Sequence, residues 1–362
     1  MNDTMQAVLM SGFGGPDVLR PGRLPIPRPG PDDILLKVGA CGIDRKDLLI
    51  RNGTIRKRSA GYRGAAGDAR DDLSFPLVLG TEIAGTVAGI GANVRGVRLG
   101  DRLASLPRRG HCGLCMYCRT GRSESCASAY FIGQDVNGGY AEYVLLGADS
   151  VWPVPDNVEF AAACMAAAAI GTMVRAVRDV ARVTMGESVL ITGASGGLGV
   201  HGVQLARLAG AFVIAVASSE SKAALLRELG ADEVIVSGHG EDWSGRVIAL
   251  TGGRGADVGI DIVGVATLKT VLRSMALYGR VATVGEVGSG SIDLRPAIVL
   301  LRRLQILSSY APGMEHLATA LDLLSRGRVR AVIDDRLPLA QAAAAHARME
   351  AGDVNGRIVL EP

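Results

Sequence analysis

Cys112, Cys115, Cys118 and Cys126 follow one another with the spacing C-x2-C-x2-C-x7-C, and Gly113 and Gly121 supply turns among them. Thiolates so close along a chain can converge on one tetrahedral ion, and four of them leave no open position, which describes a structural zinc. An iron–sulfur cluster is a second reading, although no Pro follows the last Cys. Four unrelated cysteines are a third, which leaves the spacing unexplained. Cys41 and Cys164 stand apart and read as small buried residues.

A second constellation is Gly193 Ala194 Ser195 Gly196 Gly197 Leu198 Gly199, between the apolar run 188–192 and a helical stretch with Gln204 and Leu205. A glycine-rich turn at a strand-to-helix junction lets the backbone approach a pyrophosphate, which rests on the positive end of the helix. Ser195, Gly196, Gly197 and Leu198 are therefore candidate dinucleotide contacts. The end of the next strand separates NAD from NADP, because an acid there binds a ribose 2′-hydroxyl and repels a 2′-phosphate. This chain reads Ala217 Ser218 Ser219 Glu220 Ser221 Lys222. Ser218, Ser219 and Lys222 offer hydrogen bonds and one positive charge to a phosphate. NADPH is the expected cofactor, with Glu220 facing solvent; an inward Glu220 would reverse the preference.

These residues need a scaffold of two domains, since 362 residues exceed what one core usually organises. Hydrophobic content of 48% with 21% charged residues is ordinary for a globular chain. A net charge of +3 gives no reason to expect nucleic acid or a membrane surface, so a small-molecule substrate is expected. The start has no basic region followed by an apolar stretch, and the apolar run 160–170 is too short to span a bilayer; a cytoplasmic protein is the expectation.

The first 150 residues carry short β-branched runs separated by turn residues, the pattern of an all-β unit of barrel character. From Val158 the texture becomes an Ala-rich helix and then strands alternating with helices. Strands are expected at 188–192, 212–217, 233–236, 258–262, 280–284 and 305–309, which make one doubly wound α/β sheet. A helix at 317–325, a strand near Val332, an Ala-rich helix and a strand at 356–361 return to the first domain.

On these residues the chain resembles the medium-chain dehydrogenase/reductase family, the superfamily of zinc alcohol dehydrogenases and quinone oxidoreductases. The likeness covers essentially the whole chain. It includes the cysteine lobe, Gly80 Thr81 Glu82, Gly100 Asp101 Arg102 Leu103, Gly138 Gly139 Tyr140 Ala141 Glu142 Tyr143, the Gly-rich turn, Asp261 with Gly264, and Gly356 Arg357. Segments such as the Gly-rich turn with Val200 His201, and Gly279 Arg280 Val281, look most like acryloyl-CoA reductases and related enoyl reductases. The resemblance implies a Rossmann doubly wound parallel sheet at 156–310. It implies a GroES-like β-barrel-type catalytic domain from 1–155 and 311–362, with a zinc lobe at about 108–130. It also implies that Arg45 contacts the pyrophosphate, that Thr172, Val263, Gly285 and Arg357 contact the cofactor, and that the strand 305–309 pairs across a homodimer or within a homotetramer.

The same likeness identifies what is missing. Catalytic zinc in this family is held by a Cys, a His and a Cys or Asp, and the matching positions here are Asp44, Thr81 and Ala168. Asp44 and Glu82 without His or Cys make a poor zinc site, so one structural zinc and no catalytic zinc are expected. Cys164, one helical turn from Ala168, reads as packing or as a displaced ligand. Lys46 stands where the family has a proton-relaying Ser or Thr. It either serves the chemistry, with Asp44 beside it, or pairs with Asp44 or Glu82 to fill the space left by zinc.

Hydride addition to a conjugated C=C bond needs only a donor for the enolate oxygen, so reduction of an enone or an enoyl thioester such as acryloyl-CoA is the leading expectation. Alternatives are a zinc-type alcohol dehydrogenase, a carbonyl or iminium reductase, and an inactive nucleotide-binding relative. The basic loop 54–75, with Arg56, Lys57, Arg58, Tyr62, Arg63 and Arg70, is either a clamp for an acidic handle or a solvated surface.

Overall fold

Two antiparallel strands, β1 (Thr4–Met10) and β2 (Leu19–Pro25), open the chain. Ile34, Leu36, Val38 and Ala40 alternate along the chain and bury one face of β3 (Asp33–Gly42), while Lys37 on the opposite face is exposed. A short helix, α1 (Arg45–Arg51), follows, then β4 (Glu82–Ile90), β5 (Arg102–Ser105), β6 (Arg108–Arg109), β7 (Tyr130–Phe131), β8 (Tyr143–Gly147) and β9 (Val151–Pro153). The computed structural model describes residues 3–56, 73–238, 240–288 and 290–362. Residues 57–72 of the basic loop therefore lie outside the described residues, as does the proposal that they clamp an acidic group.

Six parallel strands come next: β10 (Ser188–Ile191), β11 (Phe212–Ala217), β12 (Glu233–Val236), β13 (Ala256–Asp261), β14 (Met275–Thr283) and β15 (Gln305–Ser308). Their order is β12-β11-β10-β13-β14-β15, so the direction of winding reverses between β10 and β13, and the strands' carboxyl ends flank that switch point. Leu190, Ile214, Ile235, Trp243, Val271 and Val281 fill the core between sheet and helices. Strand β14 begins at Met275, five residues before the expected Arg280, where Tyr278 takes a positive φ of 63°.

The chain then returns with β16 (Ile333–Pro338) and β17 (Arg357–Glu361). Strand β17 pairs antiparallel with β3 and completes the sheet β16-β17-β3-β4-β5-β9, with β8 also on β3. Ile34, Leu36, Ile83, Tyr140, Leu146, Ile358 and Leu360 share its core. The register Val359↔Gly42 sets Arg357 and the start of α1 at one end of this sheet.

The chain divides into two compact units, one of Met1–Ala168, Pro312–Arg326 and Ile333–Pro362, the other of Ala169–Ala311 and Gly327–Val332. The expected boundaries at 155 and 311 are corrected in two places. Residues 156–168 belong to the first unit because the Phe160 ring packs over Gly39, with the Arg102 guanidinium 4.6 Å from its centroid. Residues 327–332 belong to the second because the Gln204 amide bonds both the N–H (2.8 Å) and the C=O (3.0 Å) of Arg330. The helical run Phe160–Val180 has 21 residues, longer than expected, and by length and composition alone would suffice to cross a membrane. In the fold 78% of its most apolar window is buried.

Candidate active site

Asp44 caps the N-terminus of α1 and accepts a hydrogen bond from the Asp47 N–H (3.0 Å), while Asp47 accepts one from the Asp44 N–H (3.1 Å). The two carboxylates satisfy the first orphan donors of the helix. Asp47 is fully buried and receives two more donors, the Gly80 N–H (3.2 Å) and the Tyr140 hydroxyl (3.0 Å). Gly80 is required there: its φ is +101°, and a Cβ would lie 2.5 Å from the Tyr140 ring. Burial, then the charge of Asp44, pushes the Asp47 carboxyl up, and its donors oppose them. Beside it, the Thr81 hydroxyl donates to Asp44 (2.9 Å).

Arg357 closes the other side. Its Nε lies 3.1 Å from both carboxylate oxygens of Glu82 and its Nη2 2.9 Å from one, with neither side chain more than 4% exposed. Burial drives the Glu82 carboxyl upward and the guanidinium pulls it back. Of the alternatives offered for Lys46, the structure thus rules out pairing with Glu82, because an arginine holds that carboxylate in a bidentate bond. It also engages Arg357 at Glu82, where the resemblance implies a cofactor contact. With Asp44 capping a helix and receiving Thr81, Glu82 committed to a cation, and Ala168 offering no donor atom, these residues do not fit a catalytic zinc. Cys164 is fully buried, donates to the Ala161 carbonyl (3.3 Å), and has its thiol pushed well up by burial, which suits packing rather than ligation.

Lys46 is half-buried, and its Nζ lies 3.7 Å from the centroid of the Phe131 ring. Burial lowers its pKa to about 8 against the pull of Asp44, Asp135 and Asp47. Arg45, next to it, is exposed.

Sequence reasoning missed the layer beneath. The Tyr140 hydroxyl meets His346 Nε2 at 3.1 Å, and His346 Nδ1 is buried with no hydrogen-bond partner among the described residues. Burial first, then the nearby Arg51 charge, lowers the His346 pKa from 6.5 to about 3. Between those values the unfolded chain binds a proton that the folded chain does not. Stability from this group is therefore full above pH 6.5 and drops as pH falls toward 3, by about 1.4 kcal/mol per pH unit. Acid unfolding of His346→Phe should show a flatter slope in that window; an unchanged slope would mean the folded ring takes up the proton. Asp47 was legible as the third residue of a capping box, but nothing near His346 marks it.

The cysteine lobe forms as its spacing implies. All four Sγ atoms lie within 4.8 Å of one another, with 3.5 Å for Cys115–Cys118, 3.6 Å for Cys126–Cys112 and 4.0 Å for Cys112–Cys118. Zinc–sulfur bonds of about 2.3 Å at a tetrahedral angle require sulfurs about 3.8 Å apart, so the donors fit zinc. The N–H groups of Cys115 and Leu114 draw the Cys112 thiol down to about 6, as a ligand thiolate needs. Burial, with the neighbouring thiols, pushes Cys118 up to about 12, the cost of gathering such groups without a cation.

In the other unit, the Gly-rich turn joins β10 to the helix Gly199–Leu208. A Cβ on Gly199 would lie 2.3 Å from the Gly193 carbonyl, so only glycine lets the helix start this close to the strand. Val263 packs against Gly193, and Gly285 stands against the Ile262 carbonyl, which brings both to the carboxyl ends of β10, β13 and β14 beside Ser195, Gly196, Gly197 and Leu198. The cradle fits a dinucleotide pyrophosphate. Ser218 and Ser219 follow the end of β11, where Lys222 Nζ is 3.4 Å from the Ser218 hydroxyl. Glu220 is 74% exposed and pairs with Arg227 at 3.5 Å, the outward placement expected. Thr172 is buried, one residue from Met173, which packs on Gly202. Asp261 takes Thr192, Thr267 and the Gly264 N–H, a structural role at the end of β13.

Comparison with known proteins agrees with both units. A family profile for the alcohol dehydrogenase GroES-like domain matches residues 30–156, and one for zinc-binding dehydrogenase matches 197–326. The chain is 33% identical to an NAD-dependent alcohol dehydrogenase of Sulfolobus acidocaldarius, over 99% of each chain. It is 27% identical to an acryloyl-coenzyme A reductase of Sulfurisphaera tokodaii, over 94% of this chain and 95% of the relative. The crystal structure of AibC superposes with a TM-score of 0.90 at 42% identity, covering 100% of this chain and 97% of the other.

Proposed function

Because this chain belongs to the zinc-binding dehydrogenases of the medium-chain dehydrogenase/reductase family, an oxidoreductase lineage using a nicotinamide cofactor and zinc, we propose that it is an NADPH-dependent reductase of an activated C=C bond that works without a catalytic zinc. The observation that carries this reading is the pair of commitments at the former metal position, Thr81 to Asp44 and Arg357 to Glu82. Without a Lewis acid, a simple alcohol is hard to ionise, whereas an enone or enoyl thioester already carries an electron-poor β-carbon. Bound NADPH supplies the hydride. The backbone of Gly196, Gly197 and Leu198 would hold its pyrophosphate, and Ser218, Ser219 and Lys222 would hold its 2′-phosphate.

Hydride addition at the β-carbon moves the π pair toward the carbonyl oxygen, giving an enolate. The Lys46 ammonium offsets that charge and gives its proton to the α-carbon, which completes the saturated product; solvent then reprotonates the amine. Lys46→Met should lower kcat by about a hundredfold with little change in zinc content. Only the ammonium can donate, so kcat should fall as pH rises through the Lys46 pKa of about 8. Wild-type turnover in the Met variant would contradict the role. The reading as a whole is tested by following NADPH oxidation with enoyl thioesters, enones and aldehydes. Consumption with the conjugated acceptors supports it, and consumption with aldehydes alone points to carbonyl chemistry.

A further inference from the structure

We propose that Phe131 is a positioning residue for the reaction: its ring carries the Lys46 ammonium and keeps it from closing onto the carboxylates around it. The proposal rests on the catalytic reading of Lys46 for its importance, though not for its test. Strand β7 is only two residues long, yet it is fixed from two sides. Phe131 pairs directly across from Arg108 of β6, and the Phe131 N–H donates to Asp135 at 2.7 Å. The ring is thereby set with Lys46 Nζ at 3.7 Å from its centroid and the Arg108 guanidinium carbon at 5.7 Å. One aromatic ring thus serves two cations through its electron-rich face.

The groups acting on Lys46 are Asp44 and Asp47 from its own helix, Asp135 from the loop after β7, and Arg108 from β6. Three carboxylates attract the ammonium, yet no ion pair of Lys46 forms among the described residues, and the ammonium sits over the Phe131 ring. A lysine closed onto a carboxylate would be a weak proton donor, because the ion pair favours the charged form. A ring attracts the ammonium less strongly than a carboxylate in an ion pair, so burial leaves Lys46 charged at neutral pH with a proton it can still give up.

The test measures the Lys46 titration directly, by the pH dependence of its acetylation with acetic anhydride read by mass spectrometry on the zinc-loaded protein. In Phe131→Leu the ammonium falls back onto Asp44 or Asp135, and the midpoint should rise from about 8 by about one pH unit. At pH 7, kcat with an enoyl thioester should fall about tenfold. Phe131→Tyr, which keeps the ring face, should hold both values near wild type, and Phe131→Met serves as a second ring-free variant of similar bulk. A midpoint unmoved or lowered in the ring-free variants would overturn the proposal. If Lys46→Met turns over like wild type, the catalytic reading fails, while the labelling midpoint still decides whether Phe131 seats the ammonium.

Discussion

Cys112→Ser is expected to release the ion from the cysteine lobe and unfold that lobe while leaving the six-stranded sheet intact. The reason lies in what the lobe buries. Leu114 and Met116 are 73% and 64% exposed, and Tyr117 and Tyr130 are 40% and 48% exposed, so apolar burial contributes little there. The backbone instead turns around sulfur: the Cys115 N–H points to Cys112 and the Cys118 N–H to Cys115. Structural zinc sites supply on the order of 10 kcal/mol of apparent binding energy at neutral pH, which no other contact in the lobe approaches. Zinc per chain should fall to near zero on dialysis, and trypsin should cut after the exposed Arg119 and Arg122. A variant that keeps its metal and resists trypsin would show that three thiolates hold the lobe.

The second large effect concerns the Glu82–Arg357 pair. Removing the guanidinium in Arg357→Met leaves a fully buried carboxylate with no cation, and such a break costs about 3–5 kcal/mol. Glu82→Gln with Arg357→Met should recover much of that loss, because no charge is then stranded. Denaturant unfolding of the two single variants and the double variant measures the coupling. A single-variant cost below about 1 kcal/mol would mean that water reaches the pair in solution. If Arg357 served the cofactor, as the family likeness implies, the Met variant would lose NADPH affinity at unchanged stability.

The two predictions also mark where the sequence is legible. The cysteine lobe and the glycine-rich turn are local: ligands and turn residues lie within a few positions of one another, so spacing alone carries the geometry. The alternation of strands and helices likewise foretells the six-stranded sheet, whereas β13 and β14 begin two and five residues before the expected 258 and 280, around a bulge no residue pattern announces. The active-site arrangement is different in kind. Glu82 meets Arg357 across 275 residues because β17 returns to pair with β3. Phe131 reaches Lys46 through a two-residue strand too short to register as one, and His346 sits in an Ala-rich helix that gives no sign of a polar partner. The Ala-rich run at 161–169 reads as helix but is expected with the Rossmann sheet, since small side chains fit either core; Phe160, seated on Gly39, ties residues 156–168 to the first unit.

This oxidoreductase is expected to carry a metal for its fold and none for its chemistry. Metal analysis of the purified, active protein, with turnover followed as metal is titrated out by a chelator, tests it most directly. One zinc per chain, with reductase activity lost only as the cysteine lobe unfolds, is the predicted result. Two metals per chain, with activity following the more weakly held one while the fold persists, would contradict the claim and return the protein to alcohol chemistry.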